Sequence, residues 1–165
     1  TVITNNVFLP NLIGVLANAP VALETYLTVS GINARSSLSL AEREVVQITV
    51  AGVHGCDFCV AGHTAIALKK AGLERDLVRA LQERASTGNA RFDALVAFTR
   101  AVILTRGKVA KGELADFVAA GFTEQQVLEV ILGVSLATLC NFANNLAGTD
   151  INPQLQAFAP GALES

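Results

Sequence analysis

The chain has no methionine and no tryptophan, and among its 165 residues only one tyrosine, four prolines, three cysteines and two histidines. Three cysteines is an odd count, with two of them in a single CxxC and Cys140 far away. This excludes the evenly spaced disulfide framework of a small secreted protein. It fits a reducing compartment, and the expected location is the cytoplasm. Charge is also scarce: 16% of residues are charged, 14 acidic against 12 basic, for a net −2. The basic residues are scattered, which excludes a nucleic-acid-binding stripe and a polybasic membrane anchor. The opening TVITNNVFLPNLIGVL has no basic residue before its apolar run and is interrupted by Pro10 and Gly14, so it reads as a poor signal peptide. No run approaches the roughly 18 uninterrupted apolar residues of a membrane span. The lack of methionine suits a protein exposed to oxidants, because the thioether oxidises readily.

What is present is apolar bulk, with 52% of the residues hydrophobic. The length predicts one domain over residues 1–165, and one domain of this size has too little interior for so many apolar side chains. Self-association through an apolar face is therefore expected, as a homo-oligomer. Apolar spacings of three and four recur without sustained alternation, so the fold class is all-α. Ser39-Leu-Ala-Glu42 and Thr123-Glu-Gln-Gln126 have the form of capping boxes. The first opens a helix that two glycines, Gly52 and Gly55, are expected to break. A second helix then runs from about Cys56 to Ala71 and stops at Gly72. Further helices are predicted near 74–86, 91–106 and 111–120, then a long one from Thr123 to about Asn145. Pro10 and Pro20 mark the starts of two shorter helices. Sliding the chain by 84 residues sets Ser39 on Thr123, Cys56 on Cys140 and Phe58 on Phe142, which suggests a duplicated helical hairpin. The second copy lacks the chemistry, with Ala143 and Ala147 where Cys59 and His63 would stand, and Cys140 reads as a buried structural thiol.

The chemistry concentrates in Gly55-Cys-Asp-Phe-Cys-Val-Ala-Gly-His63. At about 100° per residue, Cys56, Cys59 and His63 share one helix face, and the four-residue step from Cys59 to His63 makes the two side chains neighbours. A thiolate is the reactive form of cysteine, and a helix start and an adjacent histidine both favour it. His54-x-Cys56-x-x-Cys59-x-x-x-His63 also offers four potential zinc ligands. However, Cys56 and His63 are separated by roughly 10 Å of helix rise, no second ligand pair exists, and His54 projects from the opposite face of a regular helix. His54 reads as structural or surface. No metal and no cofactor is expected.

These residues resemble the AhpD-like (alkyl hydroperoxidase D) members of the carboxymuconolactone decarboxylase superfamily. The resemblance covers residues 38–72: an acid, Glu44, eleven residues, Cys56-Asp-Phe-Cys59, three residues and His63, followed by Lys69-Lys70-Ala-Gly72. The later GFTEQQVLEVILGVSLATLCNFANNLAGT looks like the family's second helical hairpin. What the resemblance implies is an all-helical fold that assembles as trimers or hexamers and reduces peroxides with a cysteine pair. It also nominates Glu44, which spacing alone does not, as a partner of the histidine in a proton relay. One position departs from the pattern: family members carry a second histidine just before the second cysteine, and here that residue is Phe58.

The expected activity is a thiol-dependent peroxidase. Glu44 and His63 deprotonate Cys59, the thiolate attacks a hydroperoxide to give a sulfenic acid, and Cys56 condenses with it to a disulfide. A separate dithiol donor then restores the thiols. The alternative is a disulfide carrier or redox sensor with the same dithiol and little peroxide turnover, and a metal-binding or structural oligomer ranks below both.

Overall fold

The computed structural model describes residues 8–163, which form eight α-helices and one short 3₁₀ segment, with no strand among them. The helices are α1 (Asn11–Leu16), α2 (Pro20–Asn33), α3 (Leu40–His54), α4 (Asp57–Lys69), α5 (Arg75–Glu83), α6 (Ala90–Thr105), α7 (Lys111–Ala119) and α8 (Glu124–Ala147), followed by the 3₁₀ segment Pro153–Phe158. The all-α expectation holds, and the helix boundaries fall close to those read from caps and glycines.

Both capping boxes form. Ser39 Oγ accepts the Glu42 N–H at 3.2 Å while Glu42 Oε2 accepts the Ser39 N–H at 2.8 Å, and Thr123 and Gln126 do the same at 3.2 and 3.0 Å. Each pair satisfies two amide groups that a helix start would otherwise leave open. Glu42 is also ion-paired to Arg91 at 2.8 Å, which ties the start of α3 to α6.

The central helix is α3, which packs on α4, α5, α6 and α8. Val45, Val46, Ile48 and Val50 are all at or below 1% exposure, so this helix is buried nearly all round. Phe98, Phe117 and Phe122 stack with ring centroids 4.2 Å apart in each step and close the far side of the core. The long helix α8 is apolar and long enough to cross a bilayer by composition alone, but here it lies against α1, α2 and α3. Gly133 lets it approach α3: a Cβ there would meet Val46 Cγ1 at 3.2 Å, and the Gly133 carbonyl accepts from Gln47 Nε2 at 3.0 Å.

Two expectations change. The break between α3 and α4 lies at Gly55 alone, whose φ of +66° makes the left-handed turn, while Gly52 stays helical. The apparent repeat does not give a second hairpin. α8 runs unbroken from Glu124 to Ala147, because Leu139 stands at the position matching Gly55 and cannot adopt the left-handed turn cheaply. The matched caps are real, and the matched turn is missing.

Candidate active site

Reversal of the chain at Gly55 folds α4 back on α3. Glu44, near the start of α3, thereby faces His63, at the middle of α4. Glu44 Oε2 and His63 Nδ1 are 2.7 Å apart, with side-chain exposures of 7% and 29%. Burial alone would make the imidazole harder to protonate, but the Glu44 charge and hydrogen bond outweigh it, and a cysteine charge at Cys56 adds to them. The net result is a His63 pKa raised above its ordinary 6.5. With Nδ1–H donating to the carboxylate, Nε2 is the nitrogen left for chemistry.

Cys56 is the N-cap of α4, and its sulfur accepts the Cys59 amide at 3.4 Å. Both thiols are buried, at 1% and 4% exposure, and no disulfide joins them in this structure. A hydrogen bond from the Cys59 thiol is the main cause lowering the Cys56 pKa. Burial opposes it, while the Cys59 amide and the Asn144 side chain assist. Cys59 shifts up because it donates to Cys56 and is buried beside that negative charge. Asn144 Nδ2 donates to Cys59 Sγ at 3.2 Å, and Asn144 and Asn141 both work against the upward shift. Ionisation of the pair is therefore favoured at Cys56, at the helix start, over Cys59. Proximity to His63 in sequence had nominated Cys59 as the ionised thiol.

Two openings reach the dithiol. A largely apolar cavity of about 740 Å³ is lined by Leu12, Tyr26, Phe58, Cys59, Leu136 and Cys140, with Glu44 and His63 in its wall. A second opening of about 520 Å³ reaches Cys56 from the other side, past Asp57, Asn145, Thr149 and Asp150. Phe58, itself 6% exposed, lines both. The residue that departs from the family pattern is thus an apolar partition at the site, where a histidine would have added a titrating group.

Of the residues expected from sequence, Glu44, Cys56, Cys59 and His63 are brought together. His54 is not among them: its Nε2 lies 3.2 Å from Thr138 Oγ1 and its ring packs edge-on to Phe142. No group of three or more histidine, cysteine or acidic side chains among the described residues converges as a metal site. Cys140 is buried, as expected, and burial is the main cause raising its pKa to about 12, with the Cys56 charge adding to it. Sequence reasoning missed Asn144, Asn141 and Tyr26. Burial is the main cause that pushes the Tyr26 phenol up to about 12, and its side chain lines the large cavity. A signal for the asparagines existed: Asn141 and Asn144 continue the three- and four-residue spacing of the buried Ala137 and Cys140, and buried polar side chains need hydrogen-bond partners.

The fold and the thiol pair beside a carboxylate–imidazole unit define a class of helical dithiol proteins. The family model "Carboxymuconolactone decarboxylase family" matches residues 20–101. Residues 20–101, which include Glu44, Cys56, Cys59 and His63, are thus a carboxymuconolactone decarboxylase family region. Among solved structures, the AhpD core of a peroxidase-related protein from Ralstonia eutropha JMP134 superposes with a TM-score of 0.86 at 19% identity, covering 95% of this chain and 84% of that one. A peroxidase-related protein from Silicibacter sp. TM1040 gives 0.83 at 16% identity, over 99% and 85%. A cysteine variant of the debrominase Bmp8, in complex with 2,3,4-tribromopyrrole, gives 0.79 at 17% identity, over 94% and 84%. No protein of curated function matches the sequence.

Proposed function

We propose that the protein is a thiol-dependent peroxidase that reduces organic hydroperoxides with Cys56 and Cys59. The observation that carries this reading is the 2.7 Å Glu44–His63 contact in the wall of the cavity that reaches Cys59. A carboxylate-held imidazole lining the same largely apolar cavity as a thiol supports proton transfer to a substrate bound there.

The Cys59 proton passes along its existing hydrogen bond to Cys56, which leaves the thiolate on the cavity side, where Asn144 Nδ2 stabilises it. Cys59 Sγ attacks the terminal peroxide oxygen, the O–O bond breaks, and the products are a Cys59 sulfenic acid and an alkoxide. His63 gives its proton to the alkoxide, with Glu44 holding the imidazole in place. The Cys56 thiol then attacks the Cys59 sulfur, and water leaves as the disulfide forms. The sum is dithiol plus ROOH to disulfide plus ROH plus water. An external dithiol returns the pair to its starting state.

The test is hydroperoxide turnover driven by a small dithiol, with free thiols counted before and after one equivalent of peroxide. Loss of two thiols per chain and abolition of turnover in Cys59→Ser and His63→Ala support the mechanism. Full rate in both variants refutes it. A second reading, a disulfide carrier acting on other proteins, is favoured by the separate opening of about 520 Å³ that Cys56 and Asp57 line. Rapid exchange with protein disulfides together with negligible peroxide consumption would select it.

A further inference from the structure

The large cavity has an electrostatic character that thiol chemistry does not require. Its interior is apolar, yet Arg43, Lys69 and Lys70 contribute to its lining, and Glu44 is the sole carboxylate among the lining residues. Glu44 is already engaged by His63 at 2.7 Å. Arg43 Nη1 donates to the Leu38 carbonyl at 2.6 Å, which uses one of the five N–H donors of a guanidinium. The Lys69 ammonium stands 4.6 Å from the centre of the Phe158 ring, a contact that holds the charge without neutralising it. Neither Arg43 nor Lys69 is ion-paired among the described residues. Lys69 and Lys70 are exposed and Arg43 is half-buried, so positive charge lies towards solvent while the reacting sulfur is buried. A volume of about 740 Å³ is in the range of sites for extended small molecules, about 300–1,000 Å³.

From this we propose that the preferred substrate is an amphipathic hydroperoxide with an apolar body and a carboxylate, of the fatty-acid hydroperoxide type, whose carboxylate meets Arg43 and Lys69 while its peroxide reaches Cys59. The inference rests on the peroxidase reading for its chemistry, and the reaction balance is the one given above. A neutral alkyl hydroperoxide would fill the apolar interior and leave both cations unused. A carboxylate at the outer end matches them and keeps the peroxide end in the dry part of the site.

The experiment compares kcat/KM for linoleic acid hydroperoxide, its methyl ester and cumene hydroperoxide, with a small neutral dithiol as reductant. The acid should exceed its ester by about three- to tenfold at low salt, the size expected for partly exposed ion pairs, and the advantage should shrink as salt is raised. Arg43→Gln and Lys69→Gln should each lower the acid-to-ester ratio, and the double variant should bring it to about one. Using the ratio within each variant cancels any general loss of folding. Binding of decanoate against decanol, read as protection of Cys59 from alkylation, forms an independent arm. If cumene hydroperoxide and the ester are reduced as well as the acid, and decanoate protects no better than decanol, the inference fails while the peroxidase reading stands. If no hydroperoxide is reduced, but decanoate protects and the double variant abolishes that protection, the peroxidase reading fails and the amphipathic-anion site stands.

Discussion

Replacing Glu44 with glutamine tests the relay at its most sensitive point. The amide keeps the size of the side chain and one acceptor oxygen, so the hydrogen bond to His63 Nδ1 can persist, while the charge is lost. In the wild type the imidazole is hard to protonate because it is buried and easy to protonate because of Glu44, and the second effect wins. In Glu44→Gln the charge that offsets burial is gone, and the His63 pKa should fall. Glu44 is only 7% exposed, so solvent screens the pair weakly. A hydrogen bond involving a charged group contributes about 1.5–3 kcal/mol, which corresponds to roughly a ten- to hundredfold fall in kcat/KM if the protonated imidazole delivers the proton. In the wild type, activity should persist above pH 6.5, the ordinary histidine value, and decline as pH rises through the raised pKa of His63. In Glu44→Gln that alkaline limb should move to lower pH. Stability should follow the same sense. The raised pKa stabilises the folded chain fully below the unfolded histidine value, and the contribution is lost as pH rises through the folded value. Glu44→Gln should flatten this dependence. Stopped-flow oxidation across pH, with urea denaturation at matched pH, measures both. An unchanged alkaline limb together with a rate within twofold of wild type would refute the relay.

Four further outcomes are expected. Cys56→Ser should accumulate a sulfenic acid at Cys59 on treatment with a hydroperoxide, trapped by a dimedone-type reagent and located by mass spectrometry; trapping absent there but present at Cys56 in Cys59→Ser reverses the assignment of the attacking thiol. Asn144→Ala removes the 3.2 Å donor to Cys59 Sγ and should slow single-turnover oxidation by about three- to tenfold, the equivalent of one hydrogen bond; an unaltered rate removes Asn144 from the mechanism. Gly55→Ala places a side chain at φ +66° with nothing within 4 Å of its Cβ, so the cost is conformational, about 1–2 kcal/mol, readable as a lower denaturation midpoint with unchanged slope. Leu146 is 93% exposed and Leu128 68%, and we propose self-association through this face of α8; Leu146→Glu should lower the sedimentation mass, and an identical mass in wild type and variant argues that the face is free in solution.

The helices were legible because their ends are written locally. A hydroxyl three residues before an acid or amide, or a glycine after an apolar turn, acts through neighbours in the chain, and Ser39, Thr123 and Gly55 all do what their spacing suggests. Cys56, Cys59 and His63 were legible for the same reason, being one face of one helix. Glu44 came from family resemblance, because its role depends on a chain reversal whose angle spacing does not specify. Asn144 and Tyr26 arrive from α8 and α2, far away in sequence, and only packing brings them to the thiols. The distribution of charge between the two sulfurs was also beyond sequence reasoning. It depends on which thiol donates to the other, and on donors that α8 supplies.

The two halves of the site differ in how far apart their parts lie along the chain. Glu44 and His63 are separated by 19 residues and meet within one helical hairpin, so they can find each other as soon as that hairpin closes. Cys59 and Asn144 are separated by 85 residues and meet only when α8 has docked. Loop-closure costs grow with separation, and late-docking elements are the first to be released. Mild denaturant should therefore disturb the reactivity of the thiols before it separates the acid from the imidazole. Such a chain, caught partly open, would keep its proton donor and lose control of its sulfur.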